Sequence, residues 1–306
     1  MKVNSLPVIA ITAGDPGGIG PEIARKAAAS PRVTACCRPV IYGPWRDEAV
    51  AAFAKGAPSK EGGQAAYDAI ATAVGDALQK KVEAIATGPV SKEGLSMAGH
   101  PWKGHTDLLA HLTGAKRVAM MFWSPRLRVV LATVHIPLGE VPAALTASKL
   151  RDAVELAFNE MPRFGVPAPR IGVAALNPHA GEGGLIGSEE ETVMRPEIAA
   201  LQAKGIDVTG PFPADTLFVR AARGEFDVII AAYHDQGLIP VKLLGFGSAV
   251  NVTLGLPIIR TSVDHGTAYD IAGKNEADEG SLIEAVLLAA RLAGGPLPPP
   301  THRIGP

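Results

Sequence analysis

The feature that most limits the fold is a series of short apolar bursts spaced along the chain. They are VIAITA (8–13), RPVIYG (38–43), VEAIATG (82–88), RVAMMFW (117–123), LRVVLATV (127–134), RIGVAAL (170–176), FDVIIAAY (226–233) and AVNVTLG (249–255). Several are continuous in Val, Ile and Ala, the pattern of strands buried on both faces. Between many of them lie helical patterns. EIARKAAAS follows Pro21, a favoured first helical residue. The others are AAYDAIATAVGDALQKK, KLRDAVELAFNEMPRFG, EEETVMRPEIAALQAKG and SLIEAVLLAARLA. Strand and helix in alternation predict an α/β chain with wound, largely parallel sheets. RVAMMFWSPRLRVVLATV departs from this. Its two strands share a short turn at Ser124-Pro125, which predicts an antiparallel hairpin. The Pro/Gly-rich tail GGPLPPPTHRIGP is expected to fray.

A chain of 306 residues allows one large or two medium domains. Its 47% hydrophobic content supplies a core, and aromatics at 5% suit packed α/β layers better than a β-sandwich. The net charge of −1, with acids and bases interleaved, leaves no basic footprint for nucleic acid and no polybasic stretch for a membrane surface. Cys36 and Cys37 are adjacent, so a disulfide framework is not expected and a reducing cytoplasm is. The first apolar run is broken by Asp15-Pro16 and predicts a strand, not a signal peptide. No apolar run reaches the roughly 18 residues of a membrane span.

Chemistry concentrates after the strands, where wound sheets bind their ligands. GDPGGIGPEI (14–23) reads as a glycine-rich turn feeding a helix, yet it fits neither the dinucleotide fingerprint nor the P-loop. Three of the eight histidines occupy one topological niche. His135 follows LRVVLA, His179 follows IGVAAL in NPHAGEGG, and His234 follows VIIAA in AAYHDQG. A lone strand-end histidine is more often structural. Three in the same niche, far apart in sequence, suit an open catalytic metal site, not a closed structural one. His100, His111 and His302 read as surface or capping residues. Lys242, Asn251 and Arg260 form a second group. They suit a phosphate or carboxylate ligand, although two ordinary salt bridges explain the cations equally well. Glycines 181, 183 and 184, beside Glu182, read as allowing a sharp loop turn, and SEEE (188–191) as a helix N-terminus capped by Ser188.

At TSVDHGTAYDIAGKNEAD (261–278) the pattern becomes specific. H-G-[ST]-A-x-D-I-A-G-K resembles the adenine-side cofactor loop of the isocitrate/isopropylmalate dehydrogenase superfamily. GDPGGIGPEI resembles that superfamily's G-D-G-I-G-P-E turn, with two residues more. Together with TGPVSK (87–92), GHT (104–106), ATVH, LNPHAGEGG, ADT (214–216), YHDQGLIPVK, GFG, VNVTLGLP and ADEGS, the chain from about residue 8 to 290 resembles the 4-hydroxythreonine-4-phosphate dehydrogenase family. Other dehydrogenases of the superfamily hold their metal with aspartates, and the histidines select this branch.

The resemblance implies a two-domain α/β fold of the isocitrate/isopropylmalate dehydrogenase type, with a cleft between domains. Residues 1–105 with 240–306 would form the cofactor-side domain, and 106–239 the dimerisation and metal-site domain. It implies NAD-dependent oxidation, with decarboxylation, of 4-phosphooxy-L-threonine to 3-amino-2-oxopropyl phosphate in pyridoxal 5′-phosphate biosynthesis. The related alternatives are oxidation of D-threonate or D-erythronate 4-phosphate, or of an aromatic cis-dihydrodiol. The last tend to lose GHT, which is intact here. A phosphate acyltransferase, needing neither metal nor NAD, and a non-catalytic sensor on the same scaffold are more distant readings. The stretch between YGPW and TGPVSK is short for the family and bears on substrate choice.

By residue, the resemblance implies that His135, His179 and His234 bind a divalent metal shared across a homodimer, zinc first, with cobalt, magnesium or manganese as alternatives. His105 and Thr106 would touch the substrate, Lys242, Asn251 and Arg260 would hold its phosphate or carboxylate end, and Asp215 would line the same cleft. Ile19, His265, Gly266, Thr267 and Asp270 would hold the adenosine half of the cofactor, the glycines of 14–20 serving close approach to it. Asp270 would accept the ribose hydroxyls and favour NAD over NADP. For the proton acceptor, Asp235, Asp264 and Lys92 stand as candidates.

Overall fold

The computed structural model describes residues 6–102, 104–245 and 247–296. Part of the proline-rich tail, with His302, and Phe246 of the GFG motif lie outside the described residues. Ten strands run in chain order: β1 (Val8–Thr12), β2 (Arg38–Tyr42), β3 (Ala84–Thr87), β4 (Ala119–Trp123), β5 (Arg128–Leu131), β6 (Ile171–Ala174), β7 (Val208–Phe212), β8 (Val228–Ala231), β9 (Val250–Leu254) and β10 (Ile259–Ser262). The longer helices are α1 (Gly20–Ala29), α2 (Lys60–Leu78), α3 (His105–Thr113), α4 (Ala147–Glu160), α5 (Arg195–Gln202), α6 (Ala214–Ala222), α7 (His234–Gly245) and α8 (Gly280–Leu292).

The chain divides into two compact units, residues 1–115 with 256–306, and residues 116–255. These divisions differ from the boundaries at 105/106 and 239/240 expected from the sequence, and two packing facts account for it. α3 packs on α2 of the first unit. β9 runs antiparallel to β4, from Ala119 opposite Leu254 to Trp123 opposite Val250, which draws 250–254 into the second unit.

In the first unit the strands lie in the order β2-β1-β3-β10, all parallel. β1 is buried along nearly its whole length, as its unbroken VIAIT predicts. α8 is apolar around most of its circumference and correspondingly buried from Ser281 to Ala290. Ser59 caps α2, accepting from the Gly62 N–H at 3.0 Å.

In the second unit the order is β9-β4-β5-β8-β6-β7. The hairpin is present: β4 and β5 are antiparallel, and the Ser124 hydroxyl bridges the Leu127 N–H and C=O across the turn. Leu217 of α6 and Leu238 and Val241 of α7 pack with Met120, Phe122, Val129, Leu131 and Ile229 into one buried cluster. Truncating one such leucine to alanine costs about 2–5 kcal/mol, so α7 is anchored by its apolar face.

Two local expectations are revised. EEETVMRPEIAALQAKG is not one α-helix, because Glu190–Met194 forms a π-helical turn before α5. Ser188 makes no side-chain cap there, and Glu190 is buried, not a solvated acid at a helix end. His234, which follows β8, is the first residue of α7. Among the described residues, no helix is long and apolar enough to cross a membrane.

Candidate active site

In the first unit, polar side chains gather at the carboxyl ends of β3 and β10. Arg260 is 1% exposed although it is an arginine. Its Nε and Nη2 donate to Thr87 Oγ1 at 3.2 and 2.6 Å, and Thr87 Oγ1 donates on to Ser262 Oγ at 2.9 Å. Burial pushes the Arg260 guanidinium down to about 9. His105, the first residue of α3, is bonded to the Gly88 backbone next to Thr87. Desolvation first, and the Arg260 cation second, hold its imidazole well below the ordinary value of 6.5. It is therefore neutral at physiological pH. Its Nε2 is closed to solvent and has no hydrogen-bond partner. Thr106 follows it, half-buried in the same first turn.

The glycine turn faces protein more than solvent. A Cβ on Gly14 would lie 2.1 Å from the Pro89 carbonyl oxygen, one on Gly20 1.9 Å from that of Ala13, and one on Gly18 2.6 Å from that of Thr267. Close approach to the protein's own backbone therefore requires glycine at these positions. Ile19 is buried, and its N–H donates to the Thr267 carbonyl at 2.9 Å. Asp15, 1% exposed, accepts from the Gly17 N–H at 2.8 Å and from the Tyr269 hydroxyl at 2.7 Å. Glu22 accepts from the Ala277 N–H at 2.9 Å. The turn is thus a bracket for the 264–278 segment. His265, Gly266 and Asp270 remain exposed on that segment.

In the second unit, the His135 and His234 rings lie 5.5 Å apart between centroids, inclined at 45°. Asp235 Oδ1 stands 2.7 Å from His234 Nδ1 and fixes that ring. The strand ends that carry the histidines are stitched together. Thr133 Oγ1 donates to the Ala232 carbonyl at 2.7 Å. Gln236 accepts from the Ala232 N–H and donates to the Ala175 carbonyl, both at 2.7 Å. His179 sits on a left-handed turn. Its φ is 53°, and Ala180, Gly181, Glu182 and Gly183 follow at 55°, 79°, 45° and 65°. Three of the five carry a Cβ, and each costs about 1–2 kcal/mol in that conformation, so the neighbouring contacts must impose it. The glycines alone, read from sequence as turn-formers, understate this. Among the described residues, no three His, Cys, Asp or Glu side chains of one chain gather as a metal-holding group.

The remaining residues are dispersed. Asp215 is exposed in the first turn of α6, and Lys242 is exposed in the last turn of α7. Asn251 lies on β9, half-buried, with its Oδ1 closed to solvent and without a partner. Of the three candidate proton acceptors, Asp235 is engaged by His234, and Asp264 accepts from the Ser281 hydroxyl at 3.0 Å. Lys92 is exposed, and its Cε would lie 3.9 Å from a Cβ on Gly104, beside His105. His100 stacks on Tyr67 with centroids 3.8 Å apart, and His111 tilts against Trp102 at 4.5 Å. Sequence reasoning did not find Thr87, Tyr269, Gln236 or Glu190. Their types are common in loops, and only the contacts single them out.

Comparison with known proteins gives a consistent result. Residues 24–289 match the family model for pyridoxal phosphate biosynthetic protein PdxA. D-threonate 4-phosphate dehydrogenase of Cupriavidus necator is 46% identical, over 94% of this chain and 98% of that protein. 4-Hydroxythreonine-4-phosphate dehydrogenase of Geobacter metallireducens is 44% identical, over 95% and 96%. The crystal structure of 4-hydroxythreonine-4-phosphate dehydrogenase from Klebsiella pneumoniae superposes with a TM-score of 0.86 at 38% identity, covering 94% of this chain and 99% of that one. Isocitrate dehydrogenase from Methylococcus capsulatus, at 18% identity and a TM-score of 0.50, shares the fold.

Proposed function

The chain belongs to the PdxA family of pyridoxal phosphate biosynthetic proteins and is a dehydrogenase, and from that premise we propose that it oxidises the secondary alcohol of 4-phosphooxy-L-threonine with NAD. Loss of CO2 from the resulting β-keto acid gives 3-amino-2-oxopropyl phosphate. The observation that carries the reading is the buried pair of Arg260 and neutral His105. A fixed cation suits the phosphorylated, acidic substrate, and the orphaned Nε2 suits one of its polar groups. Thr106, Asp215, Lys242 and Asn251 complete the proposed substrate contacts. Such remote binding positions the reacting carbon.

The donor set fits a divalent metal. His135 and His234 lie ring to ring, and Asp235 occupies Nδ1 of His234, the carboxylate–histidine arrangement that leaves Nε2 for an ion. His179 is the third proposed ligand, shared across a homodimer. A divalent ion held there, with zinc the first choice, supplies Lewis-acid polarisation of an oxygen. The exposed edge of 265–270 fits a nucleotide, with Asp270 accepting ribose hydroxyls, Ile19 and Thr267 backing the loop, and NAD supplying the hydride acceptor. NADP is the alternative. Asp235, Asp264 and Lys92 remain the candidates for proton acceptor, the two carboxylates being already hydrogen-bonded.

The homodimer is supported by apolar exposure. Ile136, Leu138, Leu185, Ile186, Ile239 and Leu243 are exposed close in sequence to the three histidines. The proposed compartment is the cytoplasm.

A second reading rests on the 46% identity to D-threonate 4-phosphate dehydrogenase: the same chemistry on a phosphorylated sugar acid. The test is NADH formation with 4-phosphooxy-L-threonine, D-threonate 4-phosphate and D-erythronate 4-phosphate, each with and without chelator. Chelator-sensitive turnover fastest on the first supports the proposal. Preference for a sugar acid moves the enzyme into catabolism. No turnover on any of them overturns both readings.

A further inference from the structure

Glu190 is fully buried, and among the described residues its carboxylate is held by amide donors, not by an ion pair. A buried carboxylate needs its charge satisfied by donors. Here the donors all come from the segment that leads into the His179 turn. Oε1 accepts from the Leu176 and Asn177 N–H groups at 2.9 and 2.8 Å, and Oε2 accepts from Asn177 Nδ2 at 2.9 Å. A Cβ on Gly181 would lie 2.8 Å from the same Oε2, so the left-handed turn wraps closely over the carboxylate. Asn177 is locked in turn. Its Nδ2 also donates to Glu189 Oε2 at 2.7 Å, and a Cβ on Gly187 would lie 2.3 Å from it. The Gly181 carbonyl accepts from the Ile186 N–H at 3.0 Å, closing the loop.

We propose that Glu190 is a positioning residue for His179, a buried carboxylate around which the left-handed turn carrying that histidine is wound. The metal-binding purpose of this rests on the function proposed above. The loop-holding itself does not. Glu190 is the first residue of the π-helical turn Glu190–Met194, and its side chain is buried there. Glutamine is a sharp probe because it keeps the shape and loses an acceptor. Its amide would face Asn177 Nδ2 donor to donor. Flipping Asn177 would set its oxygen against the Glu189 carboxylate.

The experiment uses the full-length chain with Glu190→Gln, and Asn177→Ala as the milder variant that keeps both backbone donors. Hydrogen exchange over residues 176–187 is followed in metal-free protein, zinc affinity by chelator competition, and kcat and KM with saturating zinc. For E190Q we expect exchange in this segment faster by an order of magnitude, and zinc bound about 10–100-fold more weakly. Substrate KM at saturating zinc should stay within about twofold, since no substrate contact is removed. N177A should fall between, and it decides the matter if E190Q does not fold. Exchange in these variants equal to wild type overturns the inference whatever the metal does. Faster exchange with unchanged zinc affinity overturns the positioning role. A wild-type protein that takes up no metal overturns the metal assignment above, and the positioning role with it.

Discussion

His105 and Arg260 lean on consecutive residues of one strand end: Arg260 donates to Thr87 Oγ1 and His105 bonds to the Gly88 backbone. The cation lies close enough to help keep the imidazole neutral, though burial is the larger cause. One short stretch after β3 therefore fixes both a charge and an uncharged hydrogen-bonding group.

The pH consequence follows from the sign of that shift. In the unfolded chain His105 takes up a proton near its ordinary 6.5, whereas in the folded protein it resists protonation until well below. Between those two values the unfolded state binds more protons, so stability falls as pH drops below about 6.5. His105→Gln removes this contribution. Urea unfolding at pH 7.5 and 5.5 should show a smaller loss for H105Q than for wild type. An equal loss in both would show that His105 does not carry it.

Thr87 is the acceptor on which Arg260 rests, and it is completely buried. Thr87→Val keeps the shape and removes the oxygen, at a cost of about 1–3 kcal/mol in stability. Arg260→Lys loses the planar fork. It should raise KM for the phosphorylated substrate at least about tenfold, or 1.4 kcal/mol, with a smaller effect on kcat. Steady-state kinetics decide it, and an unchanged KM would remove Arg260 from the substrate contacts.

Much of the sheet was legible because buried parallel strands are almost continuously apolar, as β1, β3, β6 and β8 are. β10 was not, since its IRTS is polar yet buried, with Arg260 and Ser262 bonded to Thr87 at the end of β3 and Thr261 donating to the Ala285 carbonyl of α8. β7 contains Gly210-Pro211 and reads as a turn, which a strand at the end of its unit's sheet order tolerates. Candidate site residues were legible as types after strands. The left-handed run at His179 was not, because Ala180 and Glu182 carry no signal for positive φ, and the residue beneath it, Glu190, looks in sequence like an ordinary acid at a helix start.

Asp235 is exposed and would be expendable but for its hold on His234 Nδ1. Asp235→Asn weakens that hold without changing shape. Zinc affinity should fall about 10–100-fold, with thermal stability nearly unchanged. Retained affinity would mean that the carboxylate does not orient a ligand.

Tyr269 ties the 265–271 segment to Asp15, and burial, with the Asp15 carboxylate, pushes its hydroxyl up to about 12, so it remains a donor. Tyr269→Phe leaves Asp15 buried with one donor fewer, at about 1–3 kcal/mol. Because the segment carries Asp270 and His265, KM for NAD should rise while kcat at saturating NAD stays close to wild type. An NAD titration that superposes on wild type would place the cofactor elsewhere.

Leu185 and Leu243 are 83% and 82% exposed, one six residues after His179 and the other nine after His234. Large apolar side chains held in water cost free energy, and a homodimer that completes the proposed metal site would bury them. Leu243→Glu places a charge in that surface without disturbing the core face of α7, where Leu238 and Val241 are buried. In analytical ultracentrifugation the wild type should sediment as a dimer and L243E as a folded monomer, with activity and tight zinc binding lost together. A monomeric variant that keeps full turnover would show that each chain carries a complete site. A wild type that stays monomeric at micromolar concentration would remove the shared site altogether.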